Sequence, residues 1–235
     1  YFASQSIWNL IKNKSILDVL QKIIGTEILS NPIQNSRIKQ PEKFLKKKSV
    51  NDGLSGRTPW HQDAGVLSKT GQKSTDLITC WIPLTKTTIK NGSMITIPGL
   101  HKKGFFNHDS DLKGQALLRY NELLNKYKTV PLEANPGDIV LLGKHTVHCS
   151  LPNQSNNLRI SMDLRYHKGG QPSGRDSLPS FYVRSKSKRN ITVTNYKQWL
   201  AKWEKAKHKC IPRGYTFKYT TPSFKGTKRD LINLI

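Results

Sequence analysis

Residues 136–159 read PGDIVLLGKHTVHCSLPNQSNNLR, and their rhythm decides the fold. A Pro136-Gly137 turn opens the apolar run Asp138 to Leu142. A second run, Thr146 to Ser150, follows after Gly143 and Lys144. The polar turn residues Pro152 to Asn157 then lead into a long alternating segment, Leu158 to His167. Short apolar, β-branched runs bounded by Pro, Gly and Asn form strands, because turn residues cap each run before a helix could nucleate. The same rhythm extends upstream. Asp76 to Leu84 is strand-like, Asn91-Gly92 is a strong hairpin turn, Met94 to Ile97 is the returning strand closed by Pro98-Gly99, and Thr129 to Leu132 is another strand. Antiparallel pairs joined by turns predict a mainly β fold with flanking helices, of the double-sheet jelly-roll kind.

The ends of the chain carry a different period. Over residues 5–29, Ile7, Leu10, Ile11, Leu17, Leu20 and Ile24 recur at helical spacing, with Gly25 as the stop. Residues 30–58 read as loop, with one short strand around Arg37 to Lys39. Residues 110–128 carry Leu117, Leu118, Leu123 and Leu124 and predict a helical insertion. Residues 193–208 predict a last helix, with Tyr196, Trp199, Leu200 and Trp203 on one core-covering face. No repeat or low-complexity linker divides the chain. The expectation is one domain over 1–235: a helical part at 1–56, a β core at 57–168, and a lid loop and helix at 169–235. The glycine-rich segment Gly169 to Arg175 suits a lid or a plain surface turn.

Composition narrows the classes. A chain of 235 residues can bury a real core, and no apolar run is long enough for a transmembrane helix. It opens at Tyr1 rather than Met, so its natural start is expected upstream. The three cysteines, Cys80, Cys149 and Cys210, are odd in number and widely spaced, so no disulfide framework is expected and a reduced, cytoplasmic setting fits. The net charge of +24 raises nucleic acid, a membrane surface or an anionic substrate as partners. Only ten of the 39 basic residues are Arg, and Lys, Asn and Ile are abundant together, as AT-rich coding produces. The densest run, Lys43, Lys46, Lys47 and Lys48, has only Phe44 interleaved, so no base-stacking platform and no specific nucleic-acid partner are expected.

The residues able to carry chemistry are His61 and Asp63 in TPWHQD, His148, and Arg159 eleven positions later. In a strand, residues two apart share a face, so His61 and Asp63 can address one metal while Gln62 points elsewhere. His-x-Asp alone is a weak signal; the joint order of His-x-Asp, a Pro-Gly-Asp strand, His-x-Ser and a spaced Arg is a strong one. Two imidazoles and one carboxylate are the donor set of a mononuclear non-haem iron(II) site with open positions. A nearby arginine offers a two-donor fork to a carboxylate. Together they point to an oxygenase that consumes a dicarboxylic co-substrate. His145 competes with His148 for the third ligand position; it lies on the opposite strand face, and the Ser and Arg spacings run from His148.

The segments TPWHQDAGV, DLITCWIPLT, NGSMITIPGLHKKG, PGDIVLLGKHTVHCSLPNQSNNLR and GQPSGRD resemble the phytanoyl-CoA dioxygenase family over about residues 57–185. That resemblance implies an iron(II)- and 2-oxoglutarate-dependent oxygenase with a double-stranded β-helix. It implies His61, Asp63 and His148 as iron ligands and Arg159 as partner of the distal carboxylate of 2-oxoglutarate. Ser150 matches a hydroxyl position beside that carboxylate, and Trp81 a lining position of the co-substrate pocket. The family's contacts upstream of His-x-Asp have no assignment, and Cys149 stands where a glycine is common. The implied reaction consumes O2, converts 2-oxoglutarate to succinate and hydroxylates an unactivated C–H bond of a small, anionic molecule. The carboxylate of Asp63 argues against halogenation, which needs a small residue there. Ser161 and Asp163 share a strand face with Arg159 and either hold it or touch substrate. Two alternatives stand beside this reading: a jelly-roll metal-binding protein without oxygenase activity, using zinc on His61, His145 and His148, and a nucleic-acid demethylase.

Overall fold

The computed structural model describes residues 4–45, 56–106, 108–110, 116–117 and 126–210. These residues form mainly antiparallel sheets with few helices, and they fall into two compact groups.

The first group takes in residues 4–34, 67–78 and 164–210 of the described chain. Its helices are α1 (Gln5–Ile11), α2 (Lys14–Ile24), α3 (Lys69–Ser74) and α4 (Tyr196–Cys210). The helical period at 5–29 is real, but two helices share it. Asn13 accepts a bond from the Ile16 amide at 3.2 Å and so starts α2 anew. Gly25 ends α2 with φ +87°, a conformation for which glycine is suited. The buried faces of α1 and α2 carry Trp8, Ile11, Ile16, Leu17, Leu20 and Ile24. Trp8 meets Phe181 at 6.2 Å and Trp199 at 5.8 Å between ring centroids, so Trp199 of the face expected on the last helix is core, while Tyr196, Leu200 and Trp203 are half-buried.

Strands β1 (Ile28–Ser30), the C-terminal half of β10 (Arg159–Lys168) and β11 (Phe181–Arg184) complete this group. β1 pairs antiparallel with both of the others. β1, β11 and α3 were not expected from the sequence, because β1 and β11 are very short and α3 is polar. The Gly169–Arg175 segment is bonded along its length. Gly169 donates to Glu27 O at 2.7 Å, Pro172 O accepts from Thr75 at 2.7 Å, and Gly174 O accepts from the Ser68 amide at 3.1 Å.

His167 is fully buried in this group, with Asn31 Nδ2 and Ser180 Oγ each 3.4 Å from a ring nitrogen. Burial pushes its pKa from 6.5 down to about 4. The unfolded chain therefore takes up a proton that the native state refuses. Stability from this group is full above pH 6.5 and is lost as pH falls towards 4, by roughly 3 kcal/mol. Urea midpoints at pH 7, 5.5 and 4 should show this decline, with a shallower slope in His167→Gln; equal slopes in the two proteins would refute the assignment.

The second group takes in residues 35–66 and 79–163 of the described chain. Its strands are β2 (Asn35–Lys39), β3 (Leu77–Pro83) from Thr79 onwards, β4 (Met94–Thr96), β5 (Asp109–Ser110), β6 (Ala116–Leu117), β7 (Val130–Leu132), β8 (Val140–Gly143), β9 (His148–Ser150) and the first half of β10. β4 lies between β7 and β9, antiparallel to both, with Met94 opposite Ser150 and Thr96 opposite His148. β2 runs antiparallel to β10, with Lys39 opposite Arg159 and Arg37 opposite Ser161, while β3 lies between β10 and β8. The insertion expected as helix at 110–128 is, in its described part, a strand pair with Ser110 opposite Ala116 and a non-helical turn at 126–128; residues 111–115 and 118–125 lie outside the described residues. Apolar inward positions form two clusters, Trp60, Ile97, Leu100, Val147 and Cys149 in one, Trp81, Met94, Ala134 and Leu142 in the other. Among the described residues no helix is long and apolar enough to cross a membrane.

Candidate metal and co-substrate site

His61 and His148 face each other through the backbone. The His61 amide donates to His148 O at 2.9 Å and the His148 amide donates to His61 O at 3.0 Å. Residues directly opposite in an antiparallel bridge send their side chains to the same side. The two rings accordingly sit 4.2 Å apart between centroids. Asp63 reaches them differently from the strand alternation expected. Its backbone begins a 3-10 turn, Asp63–Val66, held by the Ala64 amide on Lys144 O at 2.9 Å. The turn brings Asp63 Oδ1 to 3.7 Å from His61 Nε2.

The donor atoms of His61, Asp63 and His148 all lie within 4.8 Å of one another, and all three residues are buried. His145 is absent from this group. Hydrogen bonds select which atoms are free. His61 Nδ1 donates to Pro59 O at 2.8 Å and His148 Nδ1 to Thr146 O at 2.9 Å, so each ring keeps its Nε2 lone pair. Thr79 Oγ1 donates to Asp63 Oδ2, which leaves Oδ1 towards the histidines. Burial, reinforced by the neighbouring His148, pushes the His61 pKa down to about 3, so its imidazole is neutral, as a metal ligand must be. Two imidazoles and a carboxylate with oriented partners fit a divalent transition metal.

Gln62, between two of these residues, is fully buried and faces away from them. Its Nε2 donates to Gly104 O at 2.8 Å and to His145 O at 2.7 Å, and its Oε1 accepts from the Phe106 amide at 2.8 Å. It thus anchors the peptide that carries His61 and Asp63. Nothing in the sequence marks this role, since the three partners are backbone atoms of distant segments.

Arg159, at 1% exposure, stands on β10. Its Nη1 donates to Ser161 at 2.7 Å and its Nη2 to Gly92 O at 3.1 Å, while its Nε is buried with no hydrogen-bond partner. Trp81 lies under the guanidinium, 5.6 Å from Cζ to the ring centroid. Ser161 therefore holds Arg159, and Asp163 holds Arg37 by an ion pair of 2.7 Å.

The residue that the sequence reading left out is Lys39. It is 3% exposed, directly across from Arg159, and its Nζ donates to Ser150 Oγ at 2.6 Å and to Leu151 O at 2.7 Å. Ser150 Oγ also accepts from the Thr58 amide at 2.8 Å, so its own hydrogen is left to donate. Burial, with Arg159 and Arg37 close by, pushes the Lys39 pKa down to about 6, and burial likewise brings Arg159 to about 10. Like charges facing each other across a strand pair repel, so Lys39 is largely the neutral amine at pH 7 while Arg159 keeps its charge. Among the described residues neither forms an ion pair with a carboxylate. An unpaired donor on charged Arg159, beside a lysine that an entering anion would return to its protonated form, fits a small dicarboxylate. The alternation of Arg37 and Lys39 was the available signal, but only pairing with β10 turns that face inwards. Cys149 is buried, and burial raises its pKa to about 12, so it stays a thiol rather than a thiolate ligand.

Antiparallel jelly-roll sheets that carry two histidines and an aspartate on one side define a jelly-roll protein with a two-histidine, one-carboxylate metal site. A family model for phytanoyl-CoA dioxygenase matches residues 6–161, more than half of the chain, and the chain belongs to that family. It is 33% identical over 125 residues to a phytanoyl-CoA dioxygenase domain-containing protein 1 homolog of Dictyostelium discoideum, covering 51% of this chain and 43% of the relative. It is 30% identical over 166 residues to a probable alpha-ketoglutarate-dependent hypophosphite dioxygenase of Stutzerimonas stutzeri, covering 68% and 52%. The chain spans about half the length of these curated relatives. Among solved structures, the apo form of the non-heme monooxygenase ThoJ shares the fold with a TM-score of 0.60 at 18% identity, over 87% of this chain and 76% of that one. The epimerase SnoN from nogalamycin biosynthesis, in complex with Fe3+, alpha ketoglutarate and nogalamycin RO, shares it with a TM-score of 0.56 at 19% identity, over 76% and 61%.

Proposed function

We propose that this chain is an iron(II)- and 2-oxoglutarate-dependent dioxygenase that hydroxylates an unactivated C–H bond of a small anionic molecule. In this reading residues 1–235 act as one oxygenase domain in a reduced, cytoplasmic setting. His61 Nε2, His148 Nε2 and Asp63 Oδ1 hold the metal. Arg159 takes the distal carboxylate of 2-oxoglutarate with its free donors. Lys39 and the Ser150 hydroxyl complete the anion pocket, and Trp81 walls it. Iron(II) and 2-oxoglutarate, when bound, supply dioxygen activation and the oxidative decarboxylation to succinate. The chain's own residues orient the two reactants, and the buried walls around Trp60 and Trp81 exclude water from them.

The single observation that carries this reading is the opposed pair Arg159 and Lys39, buried without carboxylate partners among the described residues and in the same compact group as the His-Asp-His cluster. A plain metal-binding jelly roll has no need of such a pocket. The names of the Stutzerimonas stutzeri relative and of the SnoN complex, both of which include alpha-ketoglutarate, agree with it.

Anaerobic titration tests the reading. Iron(II) and 2-oxoglutarate together should produce a weak visible charge-transfer band that neither gives alone. No band at saturating concentrations of both would reject the proposal. Succinate formation stimulated by one member of a library of acyl-CoA thioesters, amino acids and phosphonates would then identify the substrate class.

A further inference from the structure

Gly92 stands beside both basic side chains of the anion pocket. Its carbonyl accepts from Arg159 Nη2 at 3.1 Å. A Cβ built on it would lie 2.6 Å from Lys39 Cδ and 2.8 Å from Leu151 O, closer than real side chains come. Leu151 O is itself the acceptor for Lys39 Nζ at 2.7 Å. Its φ of +88° belongs to the Asn91-Gly92 turn, but a turn alone needs only the backbone conformation. The close approach is a separate requirement. Gly99 and Gly137 have φ of +79° and +99°, and a Cβ on either would meet nothing within 4 Å.

We propose that Gly92 is a positioning residue for the dicarboxylate co-substrate: its carbonyl aims the Arg159 guanidinium, and its bare Cα lets the Lys39 stem and the Leu151 carbonyl close up beside it. This rests on the reading of Arg159 and Lys39 given under Proposed function. The physical logic is geometric. Arg159 has five N–H donors, and the bonds to Ser161 and Gly92 O use two of them. Those two bonds set the plane of the guanidinium and so the direction in which the remaining donors point. Any side chain at position 92 pushes the Lys39 stem or the β9–β10 connection outwards and spoils the spacing of the two basic side chains.

The experiment compares Gly92→Ala with Gly137→Ala, which places the same methyl group on a left-handed backbone with open space around it. Binding of 2-oxoglutarate to the iron(II)-loaded protein is measured anaerobically by calorimetry, together with iron(II) affinity and the thermal midpoint. Gly92→Ala should weaken 2-oxoglutarate binding by about tenfold or more, as loss of a well-aimed charged hydrogen bond does, with iron(II) affinity within about twofold of the parent. Its KM for 2-oxoglutarate should rise with kcat largely kept. Gly137→Ala should lower the thermal midpoint without changing either affinity. Where Gly92→Ala fails to fold, Gly92→Asn tolerates the backbone conformation better and carries the same Cβ. Parental 2-oxoglutarate affinity in either folded Gly92 variant overturns the proposal. Arg159→Ala separates the failures: if it loses co-substrate binding while the Gly92 variants keep it, only the positioning role falls, whereas unchanged binding in Arg159→Ala removes the pocket reading itself.

Discussion

His148→Ala is expected to abolish both iron(II) binding and succinate formation, while His145→Ala keeps them. Removing one of three protein ligands deletes a donor that no other described residue can replace, since His61, Asp63 and His148 are the only cluster of metal-binding side chains found among the described residues. Even the partners that merely orient such ligands are worth about 10–100-fold in metal affinity, so a lost ligand costs more than about 100-fold. His145 lends its backbone carbonyl to Gln62, a contact that alanine retains. His61→Ala and Asp63→Ala should behave as His148→Ala does. Bound iron per chain and succinate yield are the two measurements. An active His148→Ala beside an inactive His145→Ala would reverse the ligand assignment.

Arg159→Lys is expected to raise the 2-oxoglutarate constant by about ten- to hundredfold, and Arg159→Ala by at least as much. Lysine keeps the charge but loses the planar fork, and a charged hydrogen bond left unmade costs about 1.5–3 kcal/mol. At position 159 the loss is compounded. A lysine cannot bond Ser161 and Gly92 O together while facing a ligand, nor spread flat over Trp81. Lys39→Met should act in the same direction, because it removes the amine that a bound dianion would protonate and hydrogen-bond. The measurements are the co-substrate KM at saturating iron(II) and the binding constant without turnover. A constant unchanged in Arg159→Lys and Arg159→Ala alike would remove this residue from the pocket.

Local patterns were enough to reveal much of this protein. Turn residues such as Asn91-Gly92 and Pro136-Gly137 punctuate strands whether or not their partners are known, so β3, β4, β7, β8 and β10 were legible. His61, Asp63, His148 and Arg159 stood out as candidates too, because each side chain type carries its own chemistry, and the first three do come within 4.8 Å of one another. Tertiary structure decided what depends on pairing across long sequence separations. β2 reads as a polar loop with a short strand until β10 pairs with it and turns Lys39 and Arg37 inwards. Asp63 joins the histidines through a 3-10 turn held by Lys144 O and not through strand alternation. Gln62 matters because three backbone atoms from other segments converge on its amide. Gly92 matters because Lys39 and Arg159 meet there. Residue type and turn chemistry are local properties that a sequence displays. Which polar groups become buried together, and hence which need a ligand to balance them, is set by the register between strands far apart in the chain, and that register exists only in the folded state.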